Sequence, residues 1–141
     1  MKYTHMDELE SILTNDIHNN LINTTKQQIC KEKNDILQKL NLQRDMLKSL
    51  NHKLKDYRYI DDLTDLKTGY YLRWYNINTN TLMKGGWFID IKLLENGCHV
   101  ICRRFNKQII QVKLEENILF QKLSNEEKII LKAIELLSTH S

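Results

Sequence analysis

From Ile22 to Tyr57 the chain returns apolar side chains on the alternating four- and three-residue steps of a heptad seam. They are Ile22, Ile29, Ile36, Leu40, Leu47, Leu50, Leu54 and Tyr57, with Lys26, Lys33 and Gln43 as polar interruptions. A stripe sustained over about five heptads is the signature of a coiled-coil helix. One helix over these residues would run ~50 Å at 1.5 Å per residue. Its flanks are polar and charged, so a solitary helix would leave the stripe in water. The pattern therefore demands a second apolar surface. Two surfaces answer it: an earlier helix of the same chain, folded back as a hairpin, or the same helix of another copy. The seam is cleanest from Ile36 onward, which makes Ile36, Leu40, Leu47, Leu50 and Leu54 the candidate oligomerisation residues.

The earlier helix is available. Leu9, Ile12, Leu13 and Ile17 recur at helical spacing. Asn19-Asn20-Leu21-Ile22-Asn23-Thr24-Thr25 is then rich in poor helix formers. Thr24 with Gln27, or Thr25 with Gln28, offers a capping box for the second helix. Residues 1–58 thus read as a helical, coiled-coil-like region.

After Tyr59-Ile60-Asp61-Asp62-Leu63 the apolar period shortens to two. Four strands are predicted: Tyr70 to Ile77, Trp87 to Leu93, Cys98 to Phe105 and Gln108 to Leu114. In the second, Trp87, Ile89, Ile91 and Leu93 share a face. Asn96-Gly97 predicts a hairpin with a type I′ turn. Short strands broken by Gly favour a small antiparallel meander closing as an SH3- or Tudor-like barrel, with a helix-capped sheet as the alternative. Ser124-Asn125-Glu126-Glu127 is a capping box opening a C-terminal amphipathic helix through Ile130, Ile134 and Leu137. Residues 59–141 form the second region, and the whole is of the α+β class.

The run Tyr59-Ile60, Leu63, Leu66, Gly69-Tyr70-Tyr71-Leu72-Arg73-Trp74, then Leu82 and Gly85-Gly86-Trp87-Phe88, resembles a group of uncharacterised proteins of nucleocytoplasmic large DNA viruses. The resemblance spans residues 59–94. It implies a virus-encoded protein, in the host cytoplasm or the virion, and supplies no catalytic residue. The absence of Pro and the abundance of Asn, Lys and Ile are what an AT-rich genome encodes.

Several chemistries are disfavoured. Cys98 and Cys102 share a face of one strand but lie four residues apart, ~13 Å in extended chain. Zinc–thiolate bonds are ~2.3 Å, so one ion cannot take both. His5, His18, His52 and His140 are scattered. Asp61, Asp62 and Asp65 form an acidic cluster that suits a turn cap better than a metal. No Gly-x-Ser-x-Gly elbow or phosphate-binding loop occurs. No enzyme, cofactor or metal is expected. The first residues lack the apolar core of a signal peptide, and no apolar run approaches the ~18 residues of a membrane span. Three cysteines fit a reducing compartment, so the protein is expected to be intracellular.

Two functions remain. If Leu72 and Trp74 point inward, Tyr71, Arg73 and Tyr75 share the other face of their strand, and Arg103, Arg104 and Lys107 cluster at a later hairpin. That face is either open for recognition or closed, with Tyr71 and Tyr75 packed beneath the N-terminal or C-terminal helix and Arg73 snorkelling past them. The first expectation is a non-enzymatic assembly protein, a homo-oligomer or partner-binder joined through the helical seam, with Tyr71, Arg73 and Tyr75 as a recognition face. The second is a nucleic-acid-binding protein that uses that face with Arg103, Arg104 and Lys107.

Overall fold

The computed structural model describes residues 25–139. The helix expected at Leu9, Ile12, Leu13 and Ile17, and the head of the seam at Ile22, lie outside them. The chain divides into two units. One is Lys33–Lys122; the other joins the two ends, of which residues 25–32 and 123–139 are described.

The long helix is not formed. The seam folds instead as α1 (Lys26–Gln38) and α2 (Arg44–Lys53). Between them Asn41 takes a positive φ of +53°, and the amides of Leu40 and Asn41 donate to the carbonyls of Leu37 and Gln38. Asn tolerates this left-handed conformation and ends helices with it. The apolar stripe gives no warning of the stop, because both halves spend it on the same surface. At the head of α1 the Gln28 amide donates to Thr25 Oγ1 at 3.1 Å. The Gln28 side chain turns to Glu32 instead of completing the box.

Lys33, a polar interruption of the seam, explains where α2 stops. The last carbonyls of a helix have no partner within it. The Lys33 ammonium, almost fully buried, donates to the carbonyls of Leu54 at 2.8 Å and Tyr57 at 3.0 Å. Where the sequence predicts helix to continue, the chain enters β1 (Tyr57–Ile60).

Six more strands follow: β2 (Tyr71–Asn76), β3 (Thr81–Leu82), β4 (Gly86–Leu94), β5 (Gly97–Arg103), β6 (Ile109–Lys113) and β7 (Asn117–Lys122). All pair antiparallel in the order β1-β7-β2-β4-β5-β6, with β3 on β2. The four predicted strands are β2, β4, β5 and β6, and they do run as a meander. The barrel does not form. β7 returns to lie between β1 and β2, while among the described residues β1 pairs only with β7 and β6 only with β5, so the sheet stays open. β7 escaped prediction because its first five residues are all buried; a central strand covered on both faces has no alternation. The β4–β5 hairpin stands where Asn96-Gly97 places it, but not as a type I′ turn. Leu94 pairs with Gly97, and the positive φ (+123°) falls on Gly97 and not on Asn96.

Each sheet face holds a core. On the first, Ile60, Leu72, Trp74, Phe88, Val100, Val112 and Leu119 pack together with Cys102. Ile60 belongs to one edge strand and Val112 to the other, so the sheet curls strongly around this cluster. On the second face Tyr57, Tyr75, Ile118 and Phe120 lie under Leu37 of α1 and Leu50 and Leu54, with Ile36, Leu40 and Leu47 packed at the side. All five candidate oligomerisation residues are therefore engaged inside the chain. From Ile36 onward the stripe found its second surface in the sheet.

In the other unit α3 (Asn125–Thr139) begins as the sequence predicts. The Glu127 amide donates to Ser124 Oγ and the Ser124 amide to Glu127 Oε1, each at 3.0 Å. Ile130 and Leu131 are buried against Ile29, and Leu137 stands exposed.

Candidate functional site

β2 alternates as expected. Leu72 and Trp74 enter the first core; Tyr71, Arg73 and Tyr75 point to the second face. That face is not bare. Tyr75 lies at 1% exposure beneath the helices, its hydroxyl donates to Asn80 Oδ1 at 3.2 Å, and burial pushes its phenol above the ordinary range. It leaves the candidate set. Tyr71 and Arg73 are half-buried, with their polar ends taken by the segment between β3 and β4. The Tyr71 hydroxyl donates to the Lys84 carbonyl at 2.7 Å and Arg73 Nε to the Met83 carbonyl at 3.0 Å. Met83 in turn donates its amide to Trp74 at 2.8 Å. These bonds fix one wall of a groove.

Trp87 forms the next part. It stands opposite Tyr71 across β2 and β4, and the two rings meet edge-to-face at 5.1 Å and 79°. Trp87 keeps 39% of its surface exposed. The predicted grouping of Trp87, Ile89, Ile91 and Leu93 on one face fails at a β-bulge between Phe88 and Asp90. An extra residue in one strand reverses the faces beyond it. Phe88 before the bulge and Ile91 after it both join the first core, opposite Trp87. The adjacency of Trp87 and Phe88 was the available signal, since neighbours in a strand face opposite ways.

The third part is the β5–β6 turn. The Arg104 amide donates to Gln108 and the Lys107 amide to Arg104, both at 2.9 Å. Lys107 adopts a φ of +68°, and Asn106 Oδ1 accepts from the Gln108 amide at 3.1 Å. This braced turn holds out Phe105, 88% exposed. Arg104 is half-buried, while Arg103 and Lys107 are exposed.

Together these parts enclose a groove of about 540 Å³ whose lining includes Tyr71, Met83, Lys84, Trp87, Arg104 and Phe105. Among the described residues the lining holds two cations, Lys84 and Arg104, and no carboxylate. Register extends the surface sideways. Tyr71 pairs with Trp87, Trp87 with Arg103, and Arg103 with Ile109, so one row of side chains crosses four strands. The structure thus brings Tyr71 and Arg104 to one site, with Arg103 and Lys107 beside it. Sequence reasoning missed Trp87 and Phe105 as site residues.

The acidic cluster caps a turn. Asp62 accepts from the Thr64 amide at 2.9 Å and its hydroxyl at 2.8 Å, which holds its carboxyl below the usual range. Asp61 accepts from Tyr59, and Asp65 lies 3.7 Å from Arg58. Among the described residues no three His, Cys, Asp or Glu side chains gather as metal ligands, and no helix is long and apolar enough to cross a membrane.

The cysteines differ sharply in reactivity. Cys30 is exposed; Cys102 is buried in the first core, which pushes its thiol up to about 12. Only the thiolate attacks an alkylating agent, and at pH 8 roughly one Cys102 in ten thousand carries it. Iodoacetamide is expected to label Cys30 in the folded protein and Cys102 only after denaturation, as read by peptide mass spectrometry. Equal labelling rates in the native state would contradict the burial. Comparison with family models, curated proteins and solved structures gives no match.

Proposed function

We propose that the chain is an intracellular, non-enzymatic nucleic-acid-binding protein and that the groove beside Trp87 is its contact surface. One observation carries the reading: aromatic rings and cations line a single groove to which no carboxylate among the described residues contributes. A ligand that suits it offers planar groups and negative charge in alternation. Arg103 and Lys107, exposed at the rim, add charge where phosphates would pass. An aromatic cage for a cationic ligand fits poorly, because Lys84 and Arg104 would repel it. Assembly through the helical stripe is less supported, since Leu50 and Leu54 are buried within the chain and Ile36, Leu40 and Leu47 pack beside them.

The test is the salt dependence of binding to a labelled duplex carrying a single-stranded tail, a probe that offers both forms. Each phosphate contact contributes roughly 0.7–0.9 to the slope of log affinity against log salt. Replacing Arg103 and Arg104 with Gln and Lys107 with Asn, which suits its positive φ, is expected to flatten that slope by about 2. Affinity that ignores salt, or that survives the triple replacement, refutes the reading.

A further inference from the structure

We infer that the groove takes a single strand of nucleic acid, with unstacked bases lying on Trp87 and Phe105. The inference rests on the nucleic-acid reading above and narrows it. Duplex DNA presents phosphates and base edges to a protein; the base faces are stacked inside. An aromatic face gains its full contact only with a base that is already free. The site offers ring faces and few groups for reading edges. The Tyr71 hydroxyl proton and the Nε–H of Arg73 are already bonded to the backbone of Lys84 and Met83, and Asn106 Oδ1 is held by the Gln108 amide.

The rings are also placed in advance. Trp87 is held edge-to-face against Tyr71, which is itself pinned by its hydroxyl, so little freedom remains to be lost on binding. Phe105 stands on a turn closed by three hydrogen bonds. The row Tyr71, Trp87, Arg103, Ile109 spans three inter-strand spacings, roughly 14 Å. Along it a cation follows a ring, as phosphate follows base in a single strand. Arg103 beside Trp87 and Arg104 inside the groove sit where the backbone of such a strand would run. Stacking tolerates any base, so weak sequence preference is expected.

Fluorescence anisotropy decides the matter, with an oligothymidylate of about 12 nucleotides, inside the range of roughly 4–16 that one small module covers. The same strand annealed to oligodeoxyadenylate and a polyglutamate of similar charge are measured at the same salt. The single strand is expected to bind at least about tenfold more tightly than the duplex. Phe105→Ala should weaken single-strand binding about 5- to 150-fold, the loss of one stacked base, with Phe105→Tyr restoring it. Phe105 is exposed, so its loss leaves the fold intact. Duplex binding as tight as single-strand binding, or indifference to Phe105→Ala, overturns the single-strand inference and leaves the nucleic-acid reading standing. No binding of either form, or equal binding of polyglutamate, removes both.

Discussion

Leu54→Ala is expected to lower the melting temperature by roughly 8–40 °C without changing the protein's mass in solution. Leu54 is fully buried among Leu37, Leu50, Tyr57, Tyr75, Ile118 and Phe120. Truncating such a leucine costs about 2–5 kcal/mol, because the removed methyls lose burial and the walls cannot close the cavity. For a unit the size of Lys33–Lys122, each kcal/mol shifts the midpoint by roughly 4–8 °C. Met46, on α2 but exposed, is the contrast: Met46→Ala is expected to stay within about 0.5 kcal/mol. Calorimetry beside light scattering separates the two roles open to the stripe. A core residue changes stability alone. If Leu54→Ala left the fold stable and lowered the mass, the stripe would be an interface and its packing on the sheet would be wrong.

That contrast marks how far the sequence could be read. The need for a second surface was legible from the polar flanks of the seam, and so were its residues. Which surface was not, because a heptad stripe satisfied by a sheet looks the same as one satisfied by another helix. The break at Asn41 escaped for a related reason. A left-handed Asn interrupts the backbone while leaving the apolar order on either side intact. Local signals did better: the Ser124–Glu127 box, the Thr25 cap and the β4–β5 hairpin all stand at their predicted places. Strands buried on both faces did worst, and missing β7 turned an open sheet into an expected barrel.

The site followed the same rule. Tyr71, Arg103, Arg104 and Lys107 were found by residue type and alternation. For Tyr75 the sequence left two outcomes, an open face or one closed by a helix, and the helices close it; alternation assigns a face and cannot say what covers it. Trp87 was misplaced by a bulge of one residue, which no period can reveal.

Gly85→Ala is expected to damage the groove as much as it lowers stability. A Cβ at Gly85 would overlap the Leu72 carbonyl oxygen and lie 2.9 Å from its carbon and 3.2 Å from Arg73 Cα. All three are backbone atoms of β2, so no side chain can swing aside. Gly85 also holds a φ of +98°, which a residue with a Cβ adopts at a cost of about 1–2 kcal/mol. Overpacking adds about 1–3 kcal/mol, for a total of roughly 2–5 kcal/mol. Gly69→Ala isolates the first term: its φ is +87°, but nothing lies within 4 Å of the added carbon. The damage at Gly85 is local before it is global. β2 and β4 pair at Tyr71 with Trp87 and Leu72 with Gly86, and Phe88 is bonded to the backbone of Gly69 and Tyr70, so pushing residue 85 away from Leu72 strains the end of this ladder that carries Trp87. Trp74 stays buried at 4% exposure, which leaves Trp87 to report the change as a red shift of tryptophan emission. Gly85→Ala is thus expected to lose nucleic-acid affinity even in molecules that remain folded, while Gly69→Ala loses stability alone. Equal melting points for the two variants, or a Gly85→Ala protein that binds as the parent does, would mean that the close approach of the chain to Leu72 is not what holds Trp87 in place.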